Sequence, residues 1–430
     1  LAECCTKGAR RSTGAALTLW AGRGNIGPET PEARRAMPDE ARPVALRPEE
    51  RARAVAPVLL AEADAIEATQ RITPPALAAL HANRLFRVLL PRSVGGDEAH
   101  PAEHVKMLIE IAAADASTAW CISQASGCAI AAAYVAPEVA RAVWGAPDAV
   151  LAWGQNQGAT ARVVDGGYLV QGRWTFVSGG HHATWIGGHA HVLERDGAPR
   201  RHPDGRPVER TMLIPRGEMD VTADWEVIGL RGTGSDTFAT GERFVPEPYA
   251  LARDVPAERR ELGPLYCFLT NHMYASGFAA VALGVARGLL DRFTDLARGK
   301  VPTLTGRGLK DSQVIQRDLA IAEARWRAAR AGVLAALDAA WGGATTRGDL
   351  TLDERMGIRM AATFAIHQAR EVADWCWREA GATAIFAANG FERRYRDMVT
   401  VTQQVQGRMI HFEAVGQHLL GLDSPSFRFA

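Results

Sequence analysis

The chain has almost no net charge: 49 Lys and Arg stand against 48 Asp and Glu. That leaves no basic footprint, so nucleic acid is not an expected partner. Cysteine is scarce, at six in 430 residues. Cys4 and Cys5 are adjacent and the others are scattered, which fits neither a disulfide framework nor a zinc pattern. A reducing, cytoplasmic setting is the simplest expectation. No unbroken apolar run reaches the ~20 residues of a spanning helix, so no membrane partner is expected. A Gly-rich fingerprint between a strand and a helix is also missing, which tells against a dinucleotide-binding Rossmann domain. The run His181 to His191 is rich in histidine, and His189 and His191 share a strand face. No Asp, Glu or Cys close by in sequence completes a ligand shell, so no metal is expected.

What is present divides the chain. Residues 1–43 lack periodicity and read as a disordered arm or as translated sequence ahead of the true start. Residues 44–150 read as a helical domain. Arg47-Pro48-Glu49-Glu50 is a helix start, with proline and acids in the first turn. Near Val150 the pattern turns to short β-rich runs separated by Gly, which predicts a central antiparallel β-barrel over 151–250. Val164-Asp165-Gly166-Gly167-Tyr168 predicts a hairpin, because Asp-Gly supplies the positive φ angles. Long amphipathic segments return over 262–422, with helices expected at Leu265–Leu296, Ser312–Trp341, Asp353–Ala380 and Arg394–Leu420. Four such helices make a bundle. The fold class is therefore α+β, mostly α.

The segment Gly172-Arg173-Trp174-Thr175-Phe176-Val177-Ser178-Gly179-Gly180 carries the clearest chemistry. On an alternating strand Trp174, Phe176 and Ser178 point one way. Two flat aromatics and a hydroxyl can hold a planar ring and bond its edge. The plainer reading is a core strand ending in a turn.

Several blocks now agree in order: Leu90-Pro91 to Gly95-Gly96, Asp115-Ala116-Ser117-Thr118-Ala119-Trp120, Trp174 to Gly179, Trp225 to Ser235, Phe244-Val245-Pro246-Glu247, and Arg394-Tyr395-Arg396-Asp397. Through them the chain resembles the acyl-CoA dehydrogenase superfamily over roughly residues 45 to 422. It looks most like the branch of reduced-flavin-dependent monooxygenases. The resemblance implies that Trp174, Phe176 and Ser178 line a flavin ring and that Trp225 closes the pocket. It implies that Ser235 helps bind the flavin phosphate and that Arg298 does so across a subunit boundary of a homotetramer. The implied cofactor is reduced FMN or FAD, with molecular oxygen as co-substrate. The implied partners are a separate flavin reductase and a small aromatic or heteroatom-bearing substrate.

The chain also departs from the family. The position of the dehydrogenase glutamate falls on Val405, and no Glu lies in Tyr274–Leu290. Ordinary acyl-CoA dehydrogenation is therefore disfavoured. The two histidines usual in the monooxygenases fall on Cys128 and on Gln403 or Gln404. Neither type can act as a general base, although glutamine can orient an oxygen. Cys128, on an Ala-rich helix, reads as an inert buried thiol. His272 is the best substitute base, since it opens the helix that borders the substrate cavity in the family. The expected catalytic set is Ser178, Gln403, Gln404 and His272. A dehydrogenase or oxidase on the same fold, or a degenerate flavin-binding member, remains the alternative.

Overall fold

Local sequence sets each helix end around the later site. A computed structural model of the protein describes residues 46–253, 255–303 and 306–423. The expected arm over 1–43 lies outside the described residues. Helix α1 (Pro48–Thr69) begins where the Glu50 carboxylate accepts the Arg47 amide at 2.8 Å. It stops at Gln70, which adopts φ 53°. After α2 (Pro74–Ala82) come α3 (Pro101–Ala114), α4 (Ala116–Ala129) and α5 (Pro137–Trp144). The buried Asp115 side chain caps α4 by accepting the Thr118 amide at 2.7 Å. An Asx cap of this kind satisfies an orphan amide and fixes where the helix starts. It thereby fixes the position of Trp120, at the start of the second turn.

Nine strands follow: β1 (Leu151–Trp153), β2 (Gln155–Asn156), β3 (Thr160–Val164), β4 (Gly167–Thr175), β5 (Trp185–Leu193), β6 (Glu209–Pro215), β7 (Asp220–Thr222), β8 (Thr237–Pro246) and β9 (Ala250–Leu251). The hairpin over Asp165-Gly166 is present, with Val164 opposite Gly167. The expected closed antiparallel barrel is not. The sheet runs β7-β8-β4-β3-β5-β6-β9, with β1 beside β5 and β2 beside β4. Its path leaves β7 and β9 as separate ends, and β5 runs parallel to β1 and β3. The reason is the segment between β4 and β5. It leaves the sheet to contact Thr233 and Asp236, so β4 and β5 cannot form a hairpin. Strand β5 instead lies beside β3, parallel to it and therefore antiparallel to β4.

The C-terminal part holds α6 (Thr270–Gly299), α7 (Gln313–Arg347), α8 (Leu352–Ala380), α9 (Phe391–Val401) and α10 (Ile410–Leu419). The last helix expected from the sequence is broken in two, so a simple four-helix bundle is not what forms. A β-branched run, Val399-Thr400-Val401-Thr402, ends α9. The Gln404 side chain then accepts the Gln406 amide at 2.7 Å and starts a short turn instead. β-Branched side chains lose rotamer freedom in a helix, which favours the break.

Helix α6 is the core of the described unit. It packs against α3, α4, α8 and α9. Its most apolar stretch is almost wholly buried inside the fold. Length and composition would allow a membrane span, but the apolar surface is already spent on neighbouring helices. From Leu46 onward the chain forms one compact unit. A large apolar cluster runs through it from Ala52 to Val401 and includes Trp153, Leu213 and Leu251 of the sheet region.

Candidate active site

The segment after β4 is shaped by its backbone. Trp174 ends the buried side of the strand, and its indole N–H donates to the His189 carbonyl at 2.8 Å. Phe176 then adopts φ 57° and is 57% exposed. Alternation fails at that residue, because an αL conformation reverses the chain direction. Trp174, Phe176 and Ser178 therefore do not share one face: the first is core, the second faces solvent and the third is buried in a turn. Gly179 follows at φ 76°, where its amide donates to the Thr233 carbonyl at 3.0 Å. A side chain there would strain the turn.

Ser178 is the centre of a hydroxyl chain. Its Oγ lies 2.7 Å from Ser235 Oγ, which lies 2.7 Å from Thr233 Oγ1. Thr233 donates to the Leu230 carbonyl at 2.8 Å. The Trp120 indole N–H donates to Ser178 Oγ at 3.1 Å. Each hydroxyl has one proton and two lone pairs, so the directions follow. Thr233 has given its proton to Leu230, so Ser235 donates to Thr233 and Ser178 donates to Ser235. Ser178 keeps one free lone pair. It is an acceptor toward any further partner.

A second group of contacts holds the loop from Trp225 to Ser235. Asp236 Oδ1 accepts the Asp224 and Trp225 amides, both at 2.9 Å, and its Oδ2 lies 2.6 Å from His181 Nε2. Asp224 in turn accepts the Thr237 amide and hydroxyl. Gln70, at the end of α1, donates to the Trp225 carbonyl at 3.0 Å. Trp225 meets Phe176 edge-on at 5.8 Å. At the far end of the loop Leu230, at φ 54°, donates its amide to Asp397 at 2.6 Å. Arg396 donates to the Ile228 carbonyl at 2.6 Å. Burial, aided by nearby Asp115, raises the Asp397 carboxyl to about 7. The Arg396-Asp397 pair thus docks the loop onto α9.

Helices α4 and α6 build an aromatic wall beside Ser178. Trp120 stacks on Phe278 at 4.1 Å, and Phe278 stacks on Tyr274 at 5.6 Å. Cys128 Sγ lies 3.8 Å from the Tyr274 hydroxyl. Burial pushes the Cys128 thiol and the Tyr274 hydroxyl well up, so neither is a base or a thiolate at neutral pH.

The other predicted residues stand apart. Gln403 is exposed and Gln404 is committed to its own turn. His272 is buried in the first turn of α6, where its Nδ1 accepts the Leu269 amide at 3.1 Å. Arg298, at the end of α6, is exposed and pairs with Asp295 at 2.6 Å. None of the four bonds to Ser178, Ser235 or Trp225 among the described residues. A cleft of about 650 Å³ is lined by Tyr134, Arg210 and Glu258, away from Ser178. Its Arg210 is already paired with Glu258, so the chemistry points to Ser178 and not to this cleft. Sequence reasoning missed Trp120, Asp236 and Asp397 as site-builders. Trp120 and Asp397 lay within the matched blocks; what was lacking was their contact partners.

Residues 276–407 match the family described as acyl-CoA dehydrogenase, C-terminal domain. The chain is 27% identical over 352 residues to indole-3-acetate monooxygenase of Pseudomonas putida, covering 82% of this chain and 88% of that protein. It is 27% identical over 389 residues to the oxygenase component of an FADH2-dependent resorcinol hydroxylase of Rhizobium, covering 86% and 93%. The crystal structure of the 3-HSA hydroxylase of Rhodococcus superposes with a TM-score of 0.81 at 25% identity, covering 89% of this chain and 99% of that one. With the docked loop, the hydroxyl chain and the helix–sheet–helix order in place, the chain is similar over most of its length to flavin-dependent monooxygenase oxygenase components, and its C-terminal part is similar to the acyl-CoA dehydrogenase C-terminal domain.

Proposed function

We propose that the chain is the oxygenase component of a two-component system and hydroxylates a small aromatic substrate with reduced flavin and molecular oxygen. A separate reductase supplies the flavin. The observation that carries this reading is the direction of the hydroxyl chain. Ser178 is left as an acceptor. A reduced flavin ring carries an N–H at its central edge and meets that acceptor; the oxidised ring carries none there. Bound reduced flavin supplies the two electrons with which dioxygen gives one atom to the substrate and the other to water.

This chain's residues do the rest. Ser178 holds the ring proton in place, and the turn of Thr233, Gly234 and Ser235 offers amides and hydroxyls for an anion. Trp225 and Phe176 flank the ring, with Trp174 supporting the strand beneath them. The Trp120–Phe278–Tyr274 wall excludes water and offers flat faces to an aromatic substrate. Arg298 reaches the flavin phosphate of a neighbouring subunit in a homotetramer. In one chain it is exposed at the end of α6, with Asp295 as its partner. Gln403, Gln404 and His272 would approach the substrate only in that assembly or after it binds.

The test is an anaerobic titration with reduced and oxidised FMN and FAD, followed by oxygen and an aromatic panel with any flavin reductase. Tighter binding of reduced flavin and oxygen-dependent hydroxylation are expected. Reduction of a tightly held oxidised flavin by substrate alone would overturn the reading in favour of a dehydrogenase.

A further inference from the structure

We propose that Gln124 orients the substrate: its side-chain carbonyl accepts a hydrogen bond from an O–H or N–H on the aromatic ring; this rests on the monooxygenase reading above. The burial pattern of α4 carries the inference. Every residue of that helix is buried except Trp120 and Gln124. They stand four apart, one turn along the same face. That face therefore borders open space, and Trp120 shows which space it is. Its indole donates to Ser178 and its ring stacks on Phe278.

The same row continues to Cys128, whose thiol meets the Tyr274 hydroxyl at 3.8 Å. Gln124 thus lies midway between the two ends of the aromatic wall, and its amide is the polar group on that stretch. Ser123 is polar as well, but it is buried against α6. A Cβ on Gly277 would lie 2.2 Å from the Ser123 Oγ, so that hydroxyl faces the helix contact and not the open side.

One contact sets the direction of the amide. Gln124 Nε2 donates to the Trp153 carbonyl, at the end of β1, at 3.5 Å. A backbone carbonyl can only accept, so the NH2 group must face it; turning the amide over would set two acceptors against each other. Oε1 is then held away from Trp153. It has no hydrogen-bond partner among the described residues. A ring laid along Trp120, Phe278 and Tyr274 meets flat apolar faces and this one directional group. A ring-borne donor satisfies Oε1, whereas a ring-borne acceptor in the same place leaves it unpaired and repelled. The amide cannot take up the proton that it binds. Gln124 therefore sets the orientation of the ring beside Ser178 and leaves the substrate neutral.

The experiment pairs rings of like shape that differ in one donor: indole with benzofuran, and phenol with fluorobenzene. Binding is read by calorimetry on anaerobic protein carrying reduced flavin. Within each pair the donor should bind about fivefold tighter, the worth of one neutral hydrogen bond. Gln124→Met keeps the length of the side chain and should erase that preference. Reduced-flavin affinity should stay near wild type, because Ser178 keeps Trp120 and Ser235. Gln124→Glu retains an acceptor and should retain the preference; Gln124→Leu repeats the test if Gln124→Met does not fold. Equal affinity within both wild-type pairs, absence of binding included, overturns the proposal. So does a preference that survives in Gln124→Met. Hydroxylation is scored separately: wild type should give one hydroxylated isomer of indole, and Gln124→Met a mixture. A Gln124-dependent donor preference with no hydroxylation leaves the contact standing and sinks the monooxygenase reading. Hydroxylation in which Gln124→Met changes neither the isomer ratio nor the indole-to-benzofuran ratio of kcat/KM sinks the role of Gln124 alone.

Discussion

The indole N–H of Trp120 donates to the Ser178 hydroxyl at 3.1 Å, across the boundary between α4 and the turn after β4. That bond occupies one lone pair of Ser178, while Ser235 takes its proton. Ser178→Ala should therefore cost an acceptor and leave the fold intact. Reduced flavin should bind more weakly by ~1 kcal/mol, the net worth of a single hydrogen bond. Oxidised flavin should bind as before. Hydrogen peroxide released per reduced flavin should rise and product should fall. Equal weakening for both flavin states would show that Ser178 does not read the ring proton. Trp120→Phe keeps the stack on Phe278 and should disturb coupling less than Ser178→Ala does.

Asp236 fixes one end of the Trp225 loop by accepting two amides and facing His181. Asp236→Ala leaves those donors unpaired, at ~1–3 kcal/mol for each that stays buried. Flavin affinity should fall by more than tenfold with a lower Tm. Asp236→Asn retains one acceptor oxygen and should fall between. Flavin Kd and thermal melts on the three proteins decide this; unchanged affinity in Asp236→Ala would detach the loop from flavin binding.

Asp397 fixes the other end, and its titration makes a pH prediction. Its carboxyl lies at about 7 in the folded chain because it is buried, against an ordinary 3.8. The folded state then holds a proton that the unfolded state releases above about pH 4. Stability from this residue is present at low pH and declines as pH rises from about 4 to about 7, and is flat beyond. Asp397→Asn keeps an oxygen for the Leu230 amide but cannot ionise. Its Tm relative to wild type should climb through that window. A difference independent of pH would mean that Asp397 does not titrate there.

The sequence revealed the order of helices, strands and helices because periodicity and turn residues are local. The hairpin at Asp165-Gly166 is such a case. It did not reveal the sheet's openness, because that depends on the crossover after β4, which is set by contacts to Thr233 and Asp236 far along the chain. The same limit applied to the site. Ser178, Ser235 and Trp225 lay in blocks with a resemblance, and they do lie in one connected cluster of contacts. Strand alternation put Trp174 on the same face as Phe176, and one αL residue broke the alternation. Gln403 and Gln404 were placed by counting along a helix that the chain ends at Val401. Asp397 was quoted as a landmark, but its partner Leu230 is reached only through tertiary structure.

Gly127 tests whether the aromatic wall belongs to the substrate or to the flavin. A Cβ on this residue would lie 2.5 Å from Cε1 and 2.9 Å from Cζ of Tyr274. Both positions are buried in the contact between α4 and α6, so the clash cannot be relieved toward solvent. In Gly127→Ala the Tyr274 ring must move, and with it the stack on Phe278. Overpacking of this kind costs ~1–3 kcal/mol in a well-packed core. The Tm should fall accordingly. Ser178 retains both Trp120 and Ser235, so reduced-flavin affinity should stay near the wild-type value. Substrate KM should rise and kcat should change less, because the wall binds the ring and does not touch the reacting oxygen. Tyr274→Phe separates the two effects. It keeps the ring and the stack while removing the hydroxyl near Cys128, so it should leave KM close to wild type. Should Gly127→Ala weaken flavin binding as much as it raises KM, the wall would be part of the flavin cradle, and the substrate would have to lie elsewhere.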